Sequence, residues 1–433
     1  MTMSSLNPQA VALNDALAAC PTVLNLLSAR GKAIYFPKLG ILSQSAEAKG
    51  KRINATIGAG IDDDGTPMRL PSIANKIALP PGQVFPYAPS FGTPEIRAAW
   101  RQQLQAKNPS LPAHVSNPVV SCALTHGLSM IGYLFLNAGD EVIIADKYWE
   151  NYDLTFELAY GAQLKFFPTF AGQGFNVAAL AAALGGKIGK KVVVLNFPNN
   201  PTGYSPTKAE AQAIIALIRE RAEAGDEILA VCDDAYFGLN YEDDVYPESL
   251  FAPLANLHER VLAVKADGPT KEDYVWGFRV GFITYGCKGM TPAVAAALEN
   301  KTGGAIRGNI SNAPMPSQSL LLQAFTSPAY AAEKQEKFAL LKKRYLKVRE
   351  VLRDAKYAQF FAPLPYNSGY FMCVELKGGL DPEQVRQKLL KDYDTAVIAL
   401  GSVLRIAFSS AKERDIPALF ENLFQACAAL ANK

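Results

Sequence analysis

A chain of 433 residues, 49% hydrophobic and 19% charged, has the balance of a compact globular protein and is too apolar to stay disordered. Its formal net charge of +3, without a dense Lys/Arg stripe, offers little to nucleic acid or a membrane surface. Six cysteines (Cys20, Cys122, Cys232, Cys287, Cys373, Cys427) with no Cys-x-x-Cys pair, and only three histidines, read as reduced thiols. They argue against a disulfide framework or a His-rich metal site.

The N-terminal stretch MTMSSLNPQAVALNDALAACPTVLNLL lacks the basic start and apolar core of a secretory signal, and its apolar positions recur at helical spacing. No stretch reaches membrane-spanning length without charges, so the chain reads as cytoplasmic. PEIRAAWRQQLQAK, LSMIGYLFLNA and TKAEAQAIIALIRERAEAG predict helices. Seven short apolar runs lie among them: VVSCAL, EVIIADKY, QLKFFPT, KVVVLNF, EILAVCD, RVLAVKAD and VGFITYG. Runs of this length suit strands covered on both faces, and helical crossovers between them imply a mostly parallel sheet. Beyond Pro316 a long helical pattern runs to about Ala355, interrupted where Pro328 removes a backbone donor. Strand-like GYFMCVEL, a helix DPEQVRQKLLKDY, the strand VLRIAFS and a last helix follow. The expectation is an α/β protein without internal repeats. Residues 62–330 form a large domain, and 331–433 form a smaller α/β unit joined by residues 1–61, which are too few to stand alone.

In open parallel sheets, ligands sit beyond the carboxyl ends of the strands, and several polar residues fall there. EILAVCDDAY drives an apolar run into Asp233, which reads either as a helix cap or as a carboxylate facing a cationic ligand atom. Asn200, which opens the turn Asn-Pro-Thr-Gly after KVVVLNF, is either a turn former or an amide donor. Gly127 follows VVSCAL at a strand-to-helix junction, where free N–H groups can receive phosphate. Lys271 follows a strand instead of lying on a charged helix face. Partly removed from water, such an amine deprotonates more easily and becomes a nucleophile and base. Arg279, eight residues later, offers a planar fork for phosphate. Arg405 interrupts the apolar strand VLRIAFS and demands an anion, either an internal carboxylate or that of a substrate.

Taken in order, these segments resemble the fold-type-I pyridoxal-phosphate aminotransferases of class I, and most closely their aspartate/aromatic branch, over nearly the whole chain. The resemblance implies pyridoxal 5'-phosphate held as an imine on Lys271, with Asp233 on the ring nitrogen and Tyr236 and Asn200 on the ring oxygen. Gly127 and Leu128 with Arg279 would take the phosphate. In DKYWENY, Trp149 would stack on the ring. In YAPSFGTPEIR, Tyr87 would reach the phosphate of a neighbouring subunit, which implies a homodimer. Gly58, in INATIGAGIDDDGTP, would line the substrate site, and Arg405 would bind the substrate α-carboxylate. Catalysis would fall to Lys271, Asp233 and Tyr236, without metal.

Three departures from the family pattern stand out. Gly268 replaces a frequent phosphate-binding serine, with Pro269 and Tyr274 also unusual nearby. Ser319 aligns with the second arginine of dicarboxylate-specific members, within IRGNISNAPMPSQSLL. His126 stands where a small hydroxyl residue is common. The implied reaction is amino-group exchange between an amino acid and a 2-oxo acid. A lyase or decarboxylase on the same scaffold is the alternative, because fold alone does not fix reaction type. A non-catalytic ligand-binding regulator is disfavoured, since no basic winged-helix segment precedes residue 60.

Overall fold

The computed structural model describes residues 6–19, 21–36 and 40–431; Cys20 lies outside them. The seven apolar runs all become strands of one sheet: β1 (Val119–Ser121), β2 (Glu141–Ala145), β3 (Gln163–Phe167), β4 (Lys190–Asn196), β5 (Glu227–Asp233), β6 (Val261–Asp267) and β7 (Gly281–Cys287). Their order is β1-β7-β6-β5-β4-β2-β3. β7 is antiparallel to both neighbours, and the other pairs are parallel. The runs lack alternation because both faces are covered. Val192, Val194, Leu229, Val231 and Val264 face a core shared with Leu128 and Ile131. Their chain neighbours Val193, Leu195, Ile228, Ala230 and Cys232 face another, shared with Ile214, Ile215 and Ile218. Each fully buried Val, Leu or Ile is worth about 1.5–3 kcal/mol, so a one-residue slip would expose neither face and gain nothing. The register instead aligns strand ends: Asn196 pairs with Asp233, and Asp233 with Ala266.

The helices that cover this sheet follow the sequence signals closely. α1 (Pro94–Lys107) starts with Thr93 accepting from the Ile96 N–H and Pro94 in the first turn. α2 (Ala123–Phe135) begins earlier than LSMIGYLFLNA suggests. α3 (Lys208–Glu223) carries a reciprocal capping box between Thr207 and Glu210. Two further helices matter below: the short α4 (Pro269–Glu272) and α5 (Pro292–Asn309). α5 escapes a pattern reading because Lys301-Thr302-Gly303-Gly304 dilutes its apolar stripe with weak helix formers.

After β7 the long helical pattern does split around Pro328, into α6 (Met315–Phe325) and α7 (Tyr330–Val351). A second sheet of four antiparallel strands follows, ordered β8 (Phe361–Pro363), β9 (Phe371–Leu376), β11 (Val403–Ala407), β10 (Ile398–Leu400). It is covered by α8 (Pro382–Asp392) and α9 (Ile416–Ala431). β8 and β10 have three residues each, too short for a periodicity to register. The early chain joins this layer. Ile53–Asn54 pairs in parallel with Thr395–Ala396, and the Gln44 amide donates to the Ala399 carbonyl at 2.9 Å. No described helix is long and apolar enough to cross a membrane.

Candidate active site

The carboxyl ends of β4, β5 and β6 lie side by side, and the segments leaving them carry Asn200, Asp233, Tyr236 and Lys271. Because β7 runs the other way, its beginning reaches the same rim and brings Arg279 there. Arg405 arrives from β11 of the second sheet. Its Nη1 donates to Asn200 Oδ1 at 3.1 Å and its Nη2 to the Thr56 carbonyl at 3.1 Å. Six of the candidates read from the sequence therefore meet at one rim of the sheet.

Asp233 is buried, and Oδ2 accepts a short hydrogen bond from the Tyr152 hydroxyl, while Oδ1 accepts from the Ala235 N–H at 3.3 Å. Burial raises its pKa to about 6, against the pull of the Tyr152 hydroxyl and the Lys271 cation. Tyr152 carries no motif of its own in the sequence reading. Its signal was the aromatic cluster KYWENY, where Trp149 meets Tyr152 edge-on with centroids 5.5 Å apart.

Lys271 projects from α4, half-buried, with Nζ 5.1 Å from the Tyr236 ring centroid. Loss of water lowers its pKa to about 8; Asp233 opposes that shift and Arg279 adds to it. The Tyr370 hydroxyl donates to the Lys271 carbonyl at 2.7 Å and fixes the backbone beneath the amine. On either side, buried charges are paired: Glu272 with Lys107 at 2.6 Å and Lys334 at 2.8 Å, and Lys265 with Asp234. A buried cation left alone would be far costlier.

Arg405 is 2% exposed, its guanidinium carbon 4.3 Å from the Phe371 ring centroid, and its Nε is buried without a partner. No carboxylate forms an ion pair with it within 4.0 Å among the described residues, so the open choice at this position resolves against an internal salt bridge. Since Asn200 Oδ1 is occupied by Arg405, its amide N–H groups are the end left for a ligand. A Cβ on Gly58 would sit 3.4 Å from Phe371 and 4.0 Å from the Tyr236 hydroxyl, so a side chain there would lie against the Tyr236 end of the rim.

Other candidates fall differently. Gly127 is not at the strand-to-helix junction but one turn inside α2, and Leu128 is fully buried in the core behind it. A Cβ on Gly127 would stand 3.1 Å from Ser121 Oγ and 3.5 Å from Ile283, so that glycine serves helix-on-sheet packing. The unbonded N–H groups of α2 begin at Ala123, which holds φ +62°. His126 finds its account here: Nδ1 accepts the Cys122 N–H at 3.0 Å and steadies the helix start. Gly268 has a steric reason, because a Cβ would meet the Val280 carbonyl oxygen at 2.9 Å. The hydroxyl missing there is matched by Thr270, 3% exposed, whose Oγ1 has no partner. Arg279 is exposed, with Nη1 on the Trp276 carbonyl at 3.0 Å.

Ser319 is no candidate to face a substrate. It is 8% exposed, and its hydroxyl donates to the Gln83 carbonyl at 2.9 Å and the Met315 carbonyl at 3.2 Å. The exposed cation of that stretch is Arg307, in the last turn of α5, with Nη1 2.9 Å from Ser311 Oγ. Tyr87 is 90% exposed.

A buried carboxylate, a lysine of lowered pKa, an orphaned hydroxyl and an open helix start fit pyridoxal phosphate at ring nitrogen, aldehyde and phosphate. The fold is that of solved aminotransferases. The structure of an aminotransferase from Anaerococcus prevotii superposes with a TM-score of 0.81 at 22% identity, covering 93% of this chain and 99% of that one. Residues 53–423 match the family of aminotransferase class I and II. The chain belongs to that family and is a pyridoxal-phosphate-dependent aminotransferase. The aspartate aminotransferase of Bacillus sp. (strain YM-2) is 27% identical over 304 residues, 69% of this chain and 71% of its own. The methionine aminotransferase of Escherichia coli (strain K12) is 25% identical over 404 residues, 90% of this chain and 95% of its own.

Proposed function

We propose that Lys271 is the proton-transfer residue of amino-group exchange and that the rim around it holds cofactor and substrate. One observation carries the reading: a half-buried lysine at a strand end, lowered to about 8, shares its rim with Asp233, Tyr236, Asn200 and Arg405. Pyridoxal phosphate, when bound, supplies an aldehyde for the Lys271 amine and a protonated ring that draws electrons away from the substrate Cα. Once the substrate amine has displaced it from the aldehyde, the freed Lys271 Nζ would be the group that takes the proton from the substrate Cα and returns it. Asp233, ionised, holds the proton on the ring nitrogen, and Tyr152 keeps that carboxylate in place. The Tyr236 hydroxyl and the Asn200 amide would hold the ring oxygen, and Trp149 would cover the ring face. The N–H groups that open α2, the Thr270 hydroxyl and Arg279 receive the phosphate. Arg405 takes the substrate α-carboxylate in its fork, and Gly58 leaves room for the side chain.

Further parts of the reading concern the assembly and the substrate. The exposed Tyr87 supports a homodimer in which it completes the neighbour's phosphate site. Composition and reduced thiols support a cytoplasmic setting. The pairing of Ile53–Asn54 with Thr395–Ala396 supports residues 1–61 and 331–433 as one small domain beside a large one of 62–330. Substrates are an amino acid and a 2-oxo acid. Arg307, not Ser319, is the cation available for a second carboxylate, and a dimer partner would carry it to the site. The relatives named for aspartate and for methionine span acidic and apolar donors.

Borohydride reduction of the protein with pyridoxal phosphate, followed by peptide mass mapping, should place the adduct on Lys271 and lose it in Lys271→Ala. An adduct elsewhere refutes the assignment. Nitrogen balance separates exchange from lyase chemistry: a second 2-oxo acid recovers the amino group, whereas a lyase releases ammonia.

A further inference from the structure

The acid-rich turn Ile61-Asp62-Asp63-Asp64 and the buried arginine of α7 have no part in the roles above. Arg344 is fully buried. Its Nη1 donates to the Ser409 carbonyl at 2.5 Å, and its Nη2 to the Ile61 carbonyl at 2.6 Å and to Asp63 Oδ1 at 2.9 Å. Two turns earlier on the same helix, Lys337 Nζ holds both Asp62 carboxylate oxygens, at 2.9 and 3.1 Å. One turn before that, Glu333 accepts the Ser72 N–H at 2.9 Å. The spacing i, i+4, i+11 puts Glu333, Lys337 and Arg344 along one stripe of α7, and that stripe grips residues 61–72. Asp63 is 61% exposed on its side chain, so its ion pair is worth little. The two carbonyls are what make a buried guanidinium tolerable there.

Those carbonyls belong to the two segments that build the Arg405 pocket. Ser409 follows β11, where Arg405 sits; Ile61 follows Thr56 and Gly58. A ladder joins the segments. The Ala407 N–H donates to Ala55 at 2.8 Å, the Ile61 N–H to Ser409 at 3.1 Å, the Ser409 hydroxyl to Ala59 at 3.1 Å, and the Ser410 hydroxyl to Asn54 at 3.0 Å. Near its start, the Thr56 carbonyl receives Arg405 Nη2; its far end is closed by Arg344. The aim of the Arg405 fork thus depends on a segment that, apart from Arg405 itself, is anchored on a deeply buried cation at Arg344.

We propose that Arg344, seconded by Lys337, is a positioning residue for the substrate-carboxylate pocket. It holds residues 55–63 against the exit of β11, so that the Thr56 carbonyl and Asn200 Oδ1 keep the Arg405 fork turned toward the incoming carboxylate. The inference rests on Arg405 being that pocket. Neither Lys271 nor Asp233 hydrogen-bonds to the clamped segment, so cofactor capture does not depend on the clamp.

The test compares Arg344→Met, Arg344→Lys, Lys337→Met and Arg405→Lys in the full-length holoenzyme. Arg344→Met should raise KM for the amino donor about tenfold or more, with kcat changed by less than about threefold, the signature of lost ground-state and transition-state binding together. Arg344→Lys should recover part of the loss, since its ammonium still reaches one carbonyl, and Lys337→Met should show a smaller change in the same direction. In the cofactor-free protein, amide hydrogen exchange should quicken at residues 55–61 and stay unchanged in β4 to β6. Absorbance titration with pyridoxal phosphate should match the wild type. If Arg344→Met misfolds, Arg344→Lys and Lys337→Met carry the same KM test. An unchanged KM in folded variants, or a loss of cofactor capture equal to the loss in KM, overturns the proposal. Arg405→Lys separates the two levels. If it raises KM while the α7 variants do not, only the clamp fails; if it leaves KM unchanged, the assignment of Arg405 fails first.

Discussion

Lys271 and Asp233 owe their chemistry to the same cause acting in opposite directions: removal from water disfavours the charged form of each. For Lys271 the free amine is the nucleophile, so capture of pyridoxal phosphate should rise with pH and level off above about 8. A midpoint near the ~10.4 of a solvated lysine, read from absorbance-monitored capture, would contradict a desolvated amine. Asp233 carries a pKa raised to about 6. Folding therefore favours its protonated form. That contribution to stability is complete below the ordinary carboxylate range and is lost as pH rises through 6. Function needs the opposite state, so cofactor retention should fall as pH drops through about 6. Tyr152→Phe removes the hydroxyl that favours the anion, and the acidic limb should move up. Loss of a hydrogen bond to a charged group costs about 1.5–3 kcal/mol, or roughly ten- to a hundredfold in retention, measured by equilibrium dialysis at neutral pH.

Element boundaries show where motif residues are fixed by backbone and where by packing. Gly203, the last residue of Asn-Pro-Thr-Gly, has φ +70°, and a Cβ there would stand 1.8 Å from the Phe371 carbonyl oxygen. Its own carbonyl takes the N–H groups of Asn367 and Ser368, both at 2.9 Å. The turn is therefore the point where the two sheets meet, and Gly203→Ala should cost at least about 3 kcal/mol in urea unfolding. Gly50 also has positive φ, +81°, but open space around it. Gly50→Ala should cost only about 1–2 kcal/mol, and equal losses at the two sites would remove the steric argument. The capping box of α3 predicts a smaller effect: Thr207→Ala should lower stability by about 1 kcal/mol, read from the same denaturation curves.

At the level of the whole molecule, the exposed apolar side chains Ile77, Phe85 and Tyr87 lie on one stretch before α1, at 67%, 82% and 90% exposure. Large apolar groups left in water on one segment mark a surface that a partner covers. If that partner is a second copy, Tyr87→Phe should remain dimeric by light scattering yet retain cofactor less tightly, because only a hydroxyl aimed at the neighbour's phosphate is lost. Unchanged retention in a verified dimer would count against the shared site.

How much was legible depended on how local each signal is. A strand buried on both faces must be apolar throughout, so the seven runs declared the central sheet, and the polar residues that follow several of them declared its rim. Lys271, Asp233 and Arg405 stood out for that reason: each is an ionisable residue at a strand end or inside an apolar strand, where burial is costly without a partner. The sequence did not show that α2 starts at Ala123, which moves the helix start one turn away from Gly127. It did not show the hydroxyl of Tyr152 on Asp233, the cations of α7 on residues 61–63, or the burial of Ser319. Those are contacts between residues distant in the chain, and nothing in a local pattern encodes which distant group fills a given hydrogen bond. Composition and periodicity determined the layers and their rim; the packing of one layer on another decided which side chains reach it.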